Sequence, residues 1–241
     1  MQQLRGLRRL CVRLNLEPRM YELNVAGEPL LLSALHALFI PRLSTVVVAD
    51  LHWGKAATFR AKGVPLPSGV TASDLERLSE VVAETRAERL LVIGDLLHAR
   101  AGRHERTLAA IAAWRSRHAS LHMVLVRGNH DTQAGDPPQA LNIECVDGPL
   151  LVGAFACQHH PQSHASHYVL AGHLHPHVHL RGRGRQSVRL PCFAFRERGA
   201  VLPAFTAFTG GGAYTPSNGD RIFAIADGEI IPADVRSSAC R

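Results

Sequence analysis

Five short apolar runs each stop within a few residues of side chains that can hold a metal ion. The runs are Thr45–Ala49, Leu90–Ile93, Met123–Val126, Leu150–Phe155 and Tyr168–Ala171. The residues that follow them are, in order, Asp50-Leu-His52, Gly94-Asp95, Gly128-Asn129-His130-Asp131, His159-His160-Pro161 and Gly172-His173-Leu-His175. Runs of this length separated by amphipathic stretches are the pattern of an α/β domain. In such folds the loops beyond the carboxyl ends of the strands converge, so five strand ends supply one site.

Between the runs, Ser73 followed by Glu76 has the form of a capping box, predicting a helix to about Arg86 with Leu75, Leu78, Val81 and Val82 on one face. A second helix is expected from about Arg103 to Arg117, burying Leu108, Ile111 and Trp114. After Pro176 the helical period fades. Alternating segments at Ser187–Phe195, Ala200–Leu202 and Arg221–Ala226, with glycine and proline turns between them, predict a second, largely antiparallel sheet packed on the first. At 241 residues the chain needs no more than one domain. That domain is expected over residues 20–241. Residues 1–19 are arginine-rich and precede Met20 and the strand-like Tyr21–Val25, so they read as a disordered basic leader or an over-long start.

Composition narrows the function classes. No apolar stretch reaches the roughly 18 residues of a membrane span, and Arg5, Arg8, Arg9 and Arg13 interrupt the place where a signal peptide needs an apolar run. Five cysteines, with no C-x-x-C pair, indicate neither a disulfide framework nor a zinc knuckle. Cys145, Cys157 and Cys192 read as core thiols. A cytoplasmic protein without a membrane partner is expected. The net charge of +7 rests almost wholly on arginine, which suits phosphate contacts and is equally produced by codon bias. Arg181, Arg183, Arg185 and Arg189 could form a strip along a nucleic-acid backbone, or plain surface. His36, His118 and His122 sit within apolar or helical segments and read as structural.

Each ligand pair alone is weak, because Gly-Asp and Asp-x-His are ordinary turn chemistry. Gly-Asn-His-Asp and Gly-His-Leu-His are more specific, the latter because residues i and i+2 of an extended segment point the same way. The ordered set of five is what reads as a metal site. Oxygen and imidazole donors without thiolate suit manganese, iron, cobalt or zinc better than calcium or copper(I).

The same five elements resemble the calcineurin-like metallophosphoesterases over residues 45–176. Asp50-Leu-His-Trp-Gly-Lys-Ala-Ala-Thr-Phe-Arg60, Pro67-Ser-Gly69, Gly94-Asp-Leu-Leu-His-Ala-Arg100, Leu190-Pro-Cys-Phe193 and Leu202-Pro-Ala-Phe-Thr-Ala-Phe-Thr-Gly-Gly211 resemble the DNA-ligase-associated metallophosphoesterases in particular. The resemblance implies a four-layer αββα sandwich of two mixed sheets flanked by helices. It also implies two divalent ions, manganese favoured. Asp50, His52, Asp95 and His175 would hold one, and Asp95 would bridge to a second held by Asn129, His159 and His173. The family's H-x-P spacing before Pro161 selects His159, with His160 as the alternative. Two such ions about 3.5 to 4 Å apart can grip the phosphoryl oxygens and stabilise the charge of in-line attack.

His130 follows the ligand Asn129, and the resemblance implies that it faces the leaving-group oxygen as general acid or electrostatic stabiliser, with Asp131 orienting its ring. Lys55, Arg60, His98 and Arg100 lie near ligands in sequence and are candidates for contacts with the substrate phosphate. Phosphoprotein phosphatases carry G-D-x-x-D-R-G and G-N-H-E, which this chain lacks. Its wording is closer to the nuclease-type members. Phosphodiester hydrolysis on DNA ends or nicks, beside an ATP-dependent DNA ligase and a helicase, is therefore the leading expectation. Hydrolysis of a small nucleotide diester or pyrophosphate is the alternative, and a non-catalytic basic partner of a ligase or helicase complex is the reading from another class. No DNA-binding module is evident in the sequence.

Overall fold

The computed structural model describes residues 20–61, 63–66, 69–181 and 187–233. The leader, Pro67, Ser68, Arg183, Arg185 and the side chain of Arg181 lie outside the described set.

The first sheet has seven strands in chain order: β1 (Met20–Val25), β2 (Glu28–Ser33), β3 (Ala37–Ile40), β4 (Thr45–Ala49), β5 (Arg89–Ile93), β6 (His122–Val126) and β7 (Ile143–Val146). β1 to β4 pair antiparallel. The first hairpin turns at Ala26 and Gly27 with φ of 52° and 81°, the sign at both central residues that matches the twist of the strands it joins. β4 to β7 pair parallel. Between them run α1 (Lys55–Ala61), α2 (Val70–Thr85), α3 (Glu105–Arg117) and α4 (Asn129–Ala134). Parallel strands are covered on both faces and so read as unbroken apolar runs.

Alternation still sorts their side chains. Val46, Val48, Leu90, Val92, Met123 and Leu125 face outward onto Leu75, Leu78 and Val81 of α2 and Ile111 and Trp114 of α3. Val47, Ala49, Leu91, Ile93, Val124 and Val126 face inward onto Phe155, Cys157, Leu170, Phe193 and Phe195 of the second sheet. Truncating a fully buried side chain such as Leu78 to alanine costs about 2 to 5 kcal/mol.

The second sheet has eight strands: β8 (Leu150–Val152), β9 (Phe155–Cys157), β10 (Tyr168–Ala171), β11 (His177–Arg181), β12 (Ser187–Phe195), β13 (Gly199–Val201), β14 (Arg221–Ala226) and β15 (Glu229–Ala233). Their order is β15-β14-β12-β13-β10-β9-β8, with β11 on β12. β10 is parallel to β9 and β13, and the other pairings are antiparallel. The sheet is thus mixed, as the first is.

Three expectations change in detail. Leu150–Phe155 is a tight hairpin rather than one run, because Gly153, at φ 60°, turns the chain between β8 and β9. The α2 helix begins at Val70 with Gly69 as its N-cap, so Ser73 is already helical and donates its N–H to Gly69. The α/β class and the two mixed sheets are as expected, but the helical cover lies over the first sheet. Among the described residues no α-helix follows Ala134. The outer residues Cys192, Ala194, Ile222 and Ala224 are covered instead by Val178, Leu180 and Tyr214. No helix of the described residues is long and apolar enough to cross a membrane.

Candidate metal centre

The strand ends meet through backbone hydrogen bonds that continue beyond the sheet. His52 and Trp53 donate to the carbonyls of Asp95 and Leu96, both at 2.8 Å, and Gly172 donates to that of His159 at 3.1 Å. To turn their side chains inward, Asp50, His52, Asp95, His173 and His175 all take positive φ, between 45° and 69°. That conformation costs a non-glycine residue roughly 1 to 2 kcal/mol, and strain of this kind gathers at functional sites. Gly94, itself at φ 73°, is needed for a further reason. A Cβ there would lie 2.1 Å from His159 Nδ1.

The side chains form two linked groups. In the first, His175 Nε2 lies 3.4 Å from Asp50 Oδ1 and 3.3 Å from His52 Nε2, which is 3.8 Å from Asp95 Oδ2. In the second, His159 Nε2 lies 2.9 Å from Asn129 Oδ1, 3.1 Å from His173 Nδ1 and 3.5 Å from Asp95 Oδ2. Asp95 Oδ2 therefore faces both groups. His159 is the buried member of the His159-His160 pair, at 3% exposure, and reaches Asn129 and Asp95. His160 is exposed and packs its ring on His173 at 4.3 Å between centroids.

These residues fit metal ions. Asp50 is fully buried and its Oδ1 accepts no hydrogen bond from the described residues, a loss that a carboxylate tolerates only beside a cation. His175 donates Nδ1–H to the Gly210 carbonyl at 2.9 Å, and His159 Nδ1 lies 3.4 Å from the Ile93 carbonyl. With the outer nitrogens so directed, the inner Nε2 lone pairs point at other acceptors, the arrangement of imidazoles around a metal. Burial pushes His52, His159 and His173 below the ordinary histidine range, leaving neutral rings ready to ligate. Burial, with the neighbouring charge of Asp50, raises Asp95 against the hydrogen bond from the His130 N–H. Burial works against the charged form of His175 too, but the Asp50 carboxylate 3.4 Å away, with the Gly210 carbonyl behind the ring, holds it above its ordinary value.

His130 donates from Nδ1 to the carbonyl of His98 at 2.9 Å, which leaves Nε2 facing the centre, 3.9 Å from Asp95 Oδ2. Its ring is therefore oriented by the His98 backbone. Asp131 has another job, contrary to expectation: it accepts from the N–H of Gly128 at 2.9 Å and of Leu97 at 3.2 Å. A carboxylate at the third position of α4 is well placed for helix N–H groups, and here it clamps two ligand loops together.

Of the expected phosphate contacts, Lys55 and His98 come to the ligand group. Lys55 Nζ donates to Thr209 Oγ1 at 3.0 Å, and its charge is drawn to Asp50 and Asp95 while burial lowers its pKa. The His98 ring lies 5.4 Å from that of His52 and stacks on that of His130. Arg60 and Arg100 are exposed at the ends of their elements, and Arg100 donates Nε to the Gln133 carbonyl at the end of α4. Arg189 is anchored on the Gly211 carbonyl. His36, His118 and His122 have local partners in Ala204, Ser79 and Glu144. Cys157 and Cys192 are buried thiols whose pKa burial pushes up to about 12, and Cys145 is half-buried.

The sequence gives no chemical signal for Thr209, whose Oγ1 lies 2.8 Å from His175 Nδ1 and so stands between Lys55 and a ligand. Only its place in the resembling segment marks it.

A family model described as calcineurin-like phosphoesterase matches residues 43–170. Among solved structures the chain is similar to nuclease MPE of Pseudomonas putida, at 43% identity and a TM-score of 0.79, covering 89% of this chain and 100% of that one. It also matches Yfce, a phosphoesterase from E. coli, at 16% identity and a TM-score of 0.42, covering 78% of this chain and 96% of that one, a likeness too slight to support anything further. No curated protein matches the chain.

Proposed function

The chain belongs to the calcineurin-like phosphoesterase family and is a metal-dependent phosphoesterase, and from that premise we propose that it is a dinuclear phosphodiesterase acting as a nuclease on DNA. The observation that carries the reading is its likeness, over nearly the whole of both chains, to a protein described as a nuclease. Asp50, His52, Asp95 and His175 would hold one ion, and Asn129, His159 and His173 the other, with Asp95 shared. When bound, the two ions polarise the phosphoryl oxygens and neutralise charge that builds during in-line attack. Manganese is our first choice, then iron, cobalt or zinc.

The chain's own residues do the rest. Lys55, tethered by Thr209, adds positive charge beside the carboxylates and helps draw in the phosphate. His130, fixed through Nδ1, presents Nε2 to the leaving oxygen and gives it a hydrogen bond or a proton. Asp131 holds the Gly128 and Leu97 loops in register, so that His130 and Asp95 keep their separation. The DNA-repair setting, beside an ATP-dependent ligase and a helicase, is supported by the motif resemblance.

The test is cleavage of end-labelled single-stranded, nicked and intact duplex DNA by the manganese-loaded protein, with Asp95→Asn as control. Metal-dependent cleavage that the variant lacks is the expected result. Turnover of small nucleotide diesters or pyrophosphates, with every DNA left intact, would overturn the nuclease reading.

A further inference from the structure

Aromatic residues make up only 5% of this chain, and two of its phenylalanines meet at the edge of the metal centre. The His98 ring stacks on His130 at 4.8 Å between centroids and 27° between planes. Phe59 continues the series, 6.0 Å from His98 and 29° from its plane. Phe208 then closes the outer end edge-on, 6.1 Å from Phe59 and at 85°. Three nearly parallel rings thus lead outward from the histidine that faces the leaving oxygen, ending in a right-angled aromatic corner. Phe59 and Phe208 are both only partly buried.

The corner is placed by the elements that hold the site. Phe59 lies four residues after Lys55 on α1, so the two share a helix face. Phe208 lies one residue before Thr209, which binds Lys55 and stands beside the ligand His175. The cation that draws in phosphate and the aromatic corner are therefore carried side by side on the same two segments. A phosphate group and an attached planar ring have the same arrangement.

We propose that Phe59 and Phe208 form a stacking wall for the nucleobase on the leaving-group side of the scissile phosphate, making the enzyme selective for phosphodiesters whose leaving group carries a base. The proposal rests on the nuclease reading above and deepens it. His130 meets the leaving oxygen, and the ring series that starts at His130 fixes which side of the phosphate the wall serves. Aromatic faces accept any base, so the wall selects for the presence of a base and not for its identity.

The experiment compares two single-stranded oligonucleotides that differ only at the nucleotide on the leaving side of one cleavable phosphodiester: one carries thymine, the other an abasic tetrahydrofuran. The other linkages are phosphorothioates. The manganese-loaded wild type should cleave the thymine substrate with kcat/KM about tenfold above the abasic one, mostly through KM. In Phe59→Leu and Phe208→Leu, and more fully in the double variant, the ratio should fall toward one. Thermal melts show whether each variant is folded, and Phe59→Trp and Phe208→Trp should keep the ratio. Equal cleavage of both substrates by wild type, or an unchanged ratio in the folded double variant, overturns the wall and leaves the nuclease reading standing. Hydrolysis of bis(p-nitrophenyl) phosphate with neither oligonucleotide cut overturns both.

Discussion

The backbone N–H of His173 donates to Asp50 Oδ2 at 2.9 Å, so a ligand loop of the second sheet is fastened to the carboxylate that ends the central strand of the first. The bond engages one oxygen of Asp50 and leaves the other, buried and accepting no hydrogen bond from the described residues, turned toward His175 and His159. The two sheets are joined where the ions would sit.

Metal binding should follow from the glycines as well as from the ligands. A Cβ on Gly172 would lie 2.6 Å from Asp50 Oδ2. Gly172→Ala is expected to lower metal affinity about 10- to 100-fold while every ligand remains in the sequence. Metal titration followed by calorimetry checks this.

Holding buried carboxylates without a counter-charge is costly, so the ions should stabilise the fold. Manganese at about a hundred times its dissociation constant should add roughly 2.7 kcal/mol, raising Tm by several degrees, and a chelator should reverse it. A melting curve indifferent to metal and chelator would count against the site.

His130 and Asp131 are expected to separate in their effects. His130→Ala should retain metal and lower kcat by roughly 10² to 10⁴, since its ring nitrogen faces the centre. Asp131→Ala should lose stability, about 1 to 3 kcal/mol, because the N–H groups of Gly128 and Leu97 lose their acceptor. Denaturation and kinetics on both variants distinguish a chemical role from a clamping one.

The motifs carried most of the site, and the physical reason is visible at β4. Its carboxyl end points Asp50 and His52 where the loops after β5, β6, β9 and β10 also arrive, so adjacency to a strand end is enough to group them. Ring orientation was not legible, because the partner of His130 is a backbone carbonyl, which any residue at position 98 would offer. Asp131 misled for a related reason: proximity in sequence suggested the neighbouring ring, whereas its helical position aimed it at N–H groups. The hairpin within Leu150–Phe155 is obscured because Ala154 and the flanking apolar residues mask the two-residue turn at Gly153 and Ala154. The sequence signal for the helix start falls late because Ser73 and Glu76 imitate a capping box inside a helix that Gly69 opens. The cover over the outer face of the second sheet comes in part from the loop around Tyr214, which has no period to read.

Stability should also depend on pH through a residue away from the metal ligands. Burial lowers the pKa of His36 to about 4, and its Nδ1 lies 2.8 Å from the Ala204 carbonyl. The unfolded chain binds this proton near pH 6.5 and the folded chain only near 4. The stabilisation is therefore complete above 6.5 and is lost as pH falls between those values, by about 3 kcal/mol. His36→Asn, which tolerates the positive φ at this position, should flatten the pH dependence of denaturation in metal-loaded protein.

The sharing of two ions through Asp95 is tested most directly by measuring bound manganese and phosphodiester turnover together in wild type and Asp95→Asn. Two ions per wild-type chain are expected, and in the variant a loss of at least one ion with turnover reduced more than about a hundredfold. Full turnover by an Asp95→Asn protein, with its metal content unchanged, would contradict that sharing.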